Sequence, residues 1–223
     1  MNRNTFNGYL QQSTSLLKHL LLFNRRNHSP DYENVAGVRK LPYAEQWSHY
    51  LNNATYDFLL NDWSLIQFEL IEDGDEHKYR YVYLECPYQA SLTFDKYRTT
   101  AKSFVRADQE AEYYSYLEDS CPEKENLRPV RYDYTPRQYK AGAHPASHLH
   151  LGRDHEYRIS TQKLLNPVSF VLFLGRHIYL GNWVQFIQNQ NHTNQYGIHI
   201  RAQLRELEAR FRNPEDDLEL HLQ

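Results

Sequence analysis

The sequence has little that would place the chain in a membrane or outside the cell. Its two cysteines, Cys86 and Cys121, are too few for a disulfide framework or a cysteine-rich zinc module, and they predict a reducing compartment. The longest apolar run, LLNPVSFVLFLG, is shorter than a membrane span and is followed at once by Arg176 and His177. The first residues lack the charged-then-apolar order of a signal peptide. We therefore expect a cytoplasmic protein without a membrane partner.

The sequence also lacks a large excess of either charge. Lysine and arginine number 25 against 28 aspartates and glutamates, for a formal net charge of −3. This balance excludes a protein that coats nucleic acid through bulk positive charge, so an RNA partner would have to meet a local basic patch. Tyrosine, in contrast, is abundant at 19 residues. Tyrosine rings pack well in half-buried strands and can also stack on bases, and we favour packing.

The spacing of apolar residues predicts an α+β protein. Helical spacing occurs in six segments, which are 10–23, 41–60, 105–119, 166–180, 182–190 and 197–211. Strand-like alternation occurs in four segments, which are 64–85 with a hairpin turn at EDGDE, 127–134, 147–152 and 155–160. This order of elements predicts an antiparallel β-sheet with helices packed on one face.

We expect a single α+β domain over residues 1–223, because the length suits one core and the sequence contains no internal repeat. Its predicted parts are a helical N-terminal part (1–60), a sheet with an inserted helix (61–160), a helical C-terminal part (161–212) and an acidic tail (213–223). The tail carries alternating leucines, which would suit either pairing with the edge strand of a partner or a disordered segment.

The densest polar cluster lies in the two short strand segments at 127–134 and 147–152. Because successive strand residues point to opposite faces, His148 and His150 share one face of their strand, and Arg131 and Asp133 share one face of theirs. If the apolar faces of both strands cover the helices, the polar pairs emerge on the other side of the sheet. Neighbouring strands would bring all four side chains together.

These residue types suit phosphodiester chemistry without a metal. One neutral imidazole, from His148 or His150, can remove the proton of a ribose 2′-hydroxyl, and the other, as imidazolium, can protonate the leaving oxygen. Arg131 can hold the phosphate as charge builds on it. Asp133 can orient one histidine and raise its pKa.

The same residues also suit two other interpretations. In the first, His148 and His150 bind a divalent metal ion together with a further ligand. The predicted further ligands are His144 and Asp133, with Asp154 and His155 as weaker choices. In the second, the histidines are hydrogen-bonded members of a solvated strand face.

Several segments resemble a known family of uncharacterised bacterial proteins found near mobile and defence-associated genes. The segments DWSLIQFEL, YRYVYLECPY, RYDYTP, HPASHLHLG and LNPVSFVLFLGRHIY carry the resemblance, which covers roughly residues 42–180. The core is also similar to TumE-like toxins of toxin–antitoxin pairs. The positions that match this toxin motif are Arg131, Tyr132, Asp133, Pro136, His144, His148, His150 and Gly152.

Our first functional hypothesis is a toxin-like or defence-associated ribonuclease in which His148, His150, Arg131 and Asp133 are catalytic, with RNA as substrate and no cofactor. One alternative is a non-catalytic interaction subunit whose protein partner is an antitoxin or a subunit of a defence complex. The other is a metal-dependent phosphoesterase with an H-x-H site that binds a divalent metal ion.

Overall fold

The computed structural model describes residues 1–32, 37–73, 76–89, 122–153, 157–198 and 204–212. Seven strands form one antiparallel sheet in chain order: β1 (Phe23–Arg26), β2 (Phe58–Leu60), β3 (Leu65–Asp73), β4 (Glu76–Leu84), β5 (Val130–Tyr134), β6 (Ser147–Leu151) and β7 (Tyr157–Ser160). The described residues also form five α-helices: α1 (Arg3–His19), α2 (Tyr43–Asn52), α3 (Pro167–His177), α4 (Leu180–Gln188) and α5 (Gln190–Thr193). The predicted α+β class is confirmed. None of the described helices is long and apolar enough to cross a membrane.

The main core lies between one face of the sheet and the helices α1 and α3. One row of paired residues crosses four strands on this face, from Phe68 through Tyr81 and Tyr132 to Leu149, and all four are buried. The ring of Phe170 on α3 packs against Phe68 and Tyr81, with centroids 5.9 and 5.7 Å away. These tyrosines therefore pack in the interior of the protein.

The opposite face of the sheet carries a second, smaller core under α2. Trp47 is fully buried there with Leu65 and Leu84, and its indole nitrogen donates to the Trp63 carbonyl at 3.0 Å. Helices thus pack on both faces and not on one face as predicted, with α2 over the part of the sheet that includes β3 and β4. The polar face of β5 and β6 lies beside this helix.

The prediction of a helix over residues 41–60 is wrong at its end. The helix α2 ends at Asn52, Ala54 takes a positive φ of 51°, and residues 58–60 form β2 paired with β3. A short apolar run fits a helix and a buried strand equally well, and here pairing of Phe58 with Ile66 decides the outcome. The part predicted to be helical therefore contributes β1 and β2 to the sheet.

The predicted helix over residues 197–211 is also wrong over residues 204–208, whereas Ala209–Phe211 form a 3₁₀ turn. The Leu164 amide donates to the Arg205 carbonyl and the Leu207 amide donates to the Gln162 carbonyl, each at 2.8 Å, so this segment runs beside the chain that follows β7. Backbone pairing replaces helical hydrogen bonds over these residues. Several other predictions concern residues outside the described part of the chain, namely the helix at 105–119, Cys121, Asp154, His155 and the tail at 213–223.

The start of α3 follows its sequence signature, and it supports a stability prediction. The Asn166 side chain accepts from the Ser169 amide at 2.9 Å, and the Asn166 amide donates to the Ser169 hydroxyl at 2.8 Å. Replacing Asn166 with Ala should lower the free energy of unfolding by about 1 kcal/mol, because the cap is lost. Urea unfolding measures this loss, and the Asn166→Asp variant should retain most of the stability. An Ala variant as stable as the wild type would contradict the assignment.

Candidate functional site

The polar residues of β5 and β6 meet on one face of the sheet. The two strands are antiparallel neighbours, and their register pairs Arg131 with His150 and Asp133 with His148. The predicted site required these two strands to be neighbours, and this condition is met. On the other side of β5, Asp133 pairs with Arg80 of β4. The register therefore brings together the four residues singled out in the sequence and adds a fifth.

Hydrogen bonds link these side chains into one chain of contacts. The Arg131 Nε donates to Asp133 Oδ2 at 2.7 Å, and His150 Nε2 lies 3.4 Å from the same oxygen. His148 Nε2 and His150 Nε2 are 2.9 Å apart. One ligand atom from each of Asp133, His148 and His150 lies within 4.8 Å of the others. The three side chains thus converge on a single point.

The contacts also indicate where the proton of each ring lies. His148 Nδ1 is 3.0 Å from the Pro145 carbonyl, which can only accept, so Nδ1 carries the hydrogen. In the neutral ring, His148 Nε2 is then an acceptor, and His150 Nε2 must donate to it. The hydrogen on His150 Nε2 is therefore shared between His148 Nε2 at 2.9 Å and Asp133 Oδ2 at 3.4 Å. The Pro145 carbonyl holds His148 with its Nε2 lone pair directed at His150.

Burial and charge set the ionisation of the site. His148 and His150 are only 1% and 3% exposed. Burial, followed by the charge of His150, lowers the pKa of His148 to about 4, so this ring is neutral at pH 7. Burial alone would raise the pKa of Asp133, but the hydrogen bond from His150 and the charge of Arg131 lower it to about 2. The cluster thus contains an ionised carboxylate beside a neutral imidazole.

The sequence was compared with models of known protein families, and one family matches most of the chain. The family described as "Uncharacterized conserved protein (DUF2290)" matches residues 11–211. The chain belongs to the DUF2290 family. The match includes all seven strands and every residue of the cluster, so the predicted resemblance to an uncharacterised family is confirmed. Comparisons with curated proteins and with solved structures gave no match.

The cluster of this DUF2290 protein fits the spacing of metal ligands. Metal–ligand bonds of about 2.0–2.1 Å place two donors about 2.9 Å apart at a right angle and about 3.4 Å apart at the tetrahedral angle. The distances from His150 Nε2 to His148 Nε2 and to Asp133 Oδ2 are 2.9 and 3.4 Å. Two imidazoles and a carboxylate are ligands that zinc, manganese and iron accept. A bound ion would take the place of the hydrogen on His150 Nε2.

His144, predicted as a further ligand, lies beside this group without joining it. Its ring meets the ring of His148 edge to face, with centroids 5.0 Å apart. The group of converging ligand atoms in the described residues consists of Asp133, His148 and His150. Of the further ligands proposed from the sequence, the structure brings in Asp133 and leaves His144 as a packing neighbour.

Sequence reasoning missed Arg80 as a member of the site. It occurs in the run KYRYVYL, where the tyrosines on either side face the main core. The alternation that placed Arg131 and Asp133 on the polar face also places Arg80 there, once β4 is paired with β5. Extending the alternation rule from β5 to β4 would have found it.

Proposed function

We propose that this DUF2290 protein is a metal-dependent phosphoesterase that cleaves phosphodiester bonds in RNA. The convergence of Asp133, His148 and His150 on one point, beside Arg131, carries the proposal. The similarity of the motif to TumE-like toxins, and of several segments to bacterial proteins of defence-associated gene neighbourhoods, supports RNA as substrate and a toxin-like or defence role.

The chain would contribute three functions at this site. Asp133, His148 and His150 would hold a divalent ion, and the Pro145 carbonyl would orient His148 for it. When bound, such an ion supplies a Lewis acid and lowers the pKa of a bound water. Arg131 would use Nε to hold Asp133 and its terminal nitrogens to hold a phosphate oxygen.

The geometry favours this mechanism over the two-imidazole scheme. An acid and a base that act on opposite sides of a phosphate must each lie about 3 Å from a different reacting oxygen, with the phosphorus between them. The ring nitrogens of His148 and His150 are 2.9 Å apart, which leaves no space for a phosphate between them. Burial also keeps His148 neutral, because its pKa is lowered to about 4.

The decisive experiment is cleavage of a mixed cellular RNA pool by the purified chain after removal of metals. We expect no cleavage in excess EDTA and cleavage after addition of manganese or zinc. The Arg176→Gln variant, which changes an exposed arginine on α3, should behave as the wild type.

Two other results would overturn the proposal in different ways. Cleavage in EDTA that leaves cyclic phosphate ends would instead support the metal-free pair of His148 and His150. No cleavage under any condition, together with a stable complex with an antitoxin or a defence subunit, would support the non-catalytic interaction subunit.

A further inference from the structure

A cleft opens next to the histidine–aspartate cluster, between α2 and the polar face of the sheet. Its volume is about 470 Å³, within the range of sites for small molecules. Arg131 lines this cleft and also bonds to Asp133, so the cleft and the cluster share a residue. The cleft therefore adjoins the proposed catalytic site at Arg131.

Four arginines line the cleft, and they differ in how far their side chains are buried. Arg80 and Arg131 are half-buried on the strands, whereas Arg39 and Arg153 are exposed. The turn that presents Arg153 follows β6 at Gly152, whose φ of 85° favours glycine. Arginines from a 3₁₀ turn, from two strands and from a loop thus converge on one space.

The acidic neighbours neutralise only part of this charge. Glu69 lies 4.0 Å from Arg39, and Asp133 lies 2.7 Å from Arg131. In the described part of the chain, no carboxylate forms an ion pair with Arg80. Four guanidinium groups against two carboxylates leave a net positive cleft.

The pKa of Arg80 also reflects the positive charge of the cleft. Burial, followed by the charge of Arg39, lowers the pKa of Arg80, and the charge of Arg131 acts in the same direction, whereas the charges of Asp133 and Glu69 oppose this shift in part. Like charges are held close together in a partly desolvated space, which costs free energy. A bound anion would relieve this repulsion.

We propose that this arginine cleft binds a phosphate group of a nucleotide, and so selects phosphate esters of nucleotide size for the adjacent cluster. Guanidinium forks match phosphate oxygens through paired hydrogen bonds, and partial burial strengthens such bonds. This inference rests on the proposed function for its catalytic meaning, but binding itself needs no metal and no cleavage. Arg80 is the central contact, because it is half-buried on β4 and lines the cleft together with Arg131 of the neighbouring strand.

The test is calorimetric titration in excess EDTA with three probes: the 5′-phosphorylated dinucleotide pUpU, uridine monophosphate and uridine. We expect pUpU to bind and uridine to bind at least tenfold more weakly. The Arg80→Gln variant should weaken pUpU binding about tenfold or more, and Arg39→Gln should weaken it less, because Arg39 is exposed and its contacts are screened. Arg176→Gln is the matched control, and Arg80→Lys tests whether charge alone suffices.

The possible outcomes distinguish nucleotide binding in the cleft from RNA cleavage at the histidine–aspartate cluster. Binding of pUpU that equals binding of uridine, or that is unchanged in folded Arg80→Gln and Arg39→Gln proteins, would refute the cleft. Binding that depends on Arg80, in a protein that never cleaves RNA with added metal, would keep the cleft and refute the proposed enzyme. Equal affinity for uridine monophosphate and pUpU would show that one terminal phosphate is the recognised group. A higher affinity for pUpU would show that the bridging phosphodiester is also recognised.

Discussion

Replacing Asp133 with Asn is expected to lower metal-dependent RNA cleavage by about 100-fold or more. The substitution removes the anionic ligand of the cluster and leaves two imidazoles, which bind metal ions in their neutral form. It also replaces the charged acceptor of Arg131 Nε, 2.7 Å away, with a neutral amide, so that the contact that orients Arg131 is weakened. Metal affinity, measured by competition with a coloured chelator, should fall together with cleavage.

The matched control for Asp133→Asn is His144→Ala. His144 contacts the ring of His148 but lies outside the group of converging ligand atoms, so its loss should change metal affinity by only a few-fold. His150→Ala should behave like Asp133→Asn. If Asp133→Asn is folded by circular dichroism and still binds metal and cleaves as the wild type does, the cluster is not the catalytic centre.

The second large effect concerns stability: Trp47→Ala should lower the free energy of unfolding by about 3–5 kcal/mol. Trp47 is fully buried in the core under α2, and its indole donates to the Trp63 carbonyl at 3.0 Å. The substitution leaves a large cavity and removes the indole hydrogen bond to the Trp63 carbonyl. Urea unfolding followed by circular dichroism measures the change.

The Trp47→Phe variant separates packing from the hydrogen bond. Phenylalanine fills most of the space and lacks the donor, so we expect a smaller loss, about 1–2 kcal/mol. A loss below 1 kcal/mol for Trp47→Ala would mean that α2 is not packed on the sheet as described. Because Tyr43 and Tyr50 of α2 line the arginine cleft, Trp47→Ala should also weaken binding of pUpU.

The strand that carries the histidines, and the face they share, could be predicted from alternation alone. His148 and His150 stand two positions apart in a strand segment, and this spacing fixes a common face whatever the partner strands are. The hairpin of β3 and β4 was equally clear, because apolar residues alternate on both sides of the EDGDE turn. Signals of this kind lie within one element and do not depend on tertiary contacts.

The features that were missed depend on contacts between distant segments. The strand β2 has only three residues, and its pairing with β3 rather than its sequence distinguishes it from a helix end. The extended path of residues 204–208 depends on backbone hydrogen bonds to the segment after β7. Arg80 becomes part of the site only through the register of β4 with β5. Register was also needed to place Asp133 opposite His148, and alternation does not supply it.

The order of the strands in the sheet bears on how the cluster assembles during folding. Asp133 and His148 are paired 15 residues apart in the chain, whereas Val82 and Arg131, paired across β4 and β5, are 49 apart. Loop-closure entropy makes the shorter connection cheaper by about 1 kcal/mol, so β5 and β6 can pair before β4 joins them. All three converging side chains belong to this local hairpin. Lengthening or shortening the chain between β4 and β5 should therefore change the cost of closing the sheet by only tenths of a kcal/mol, while leaving the histidine–aspartate geometry intact.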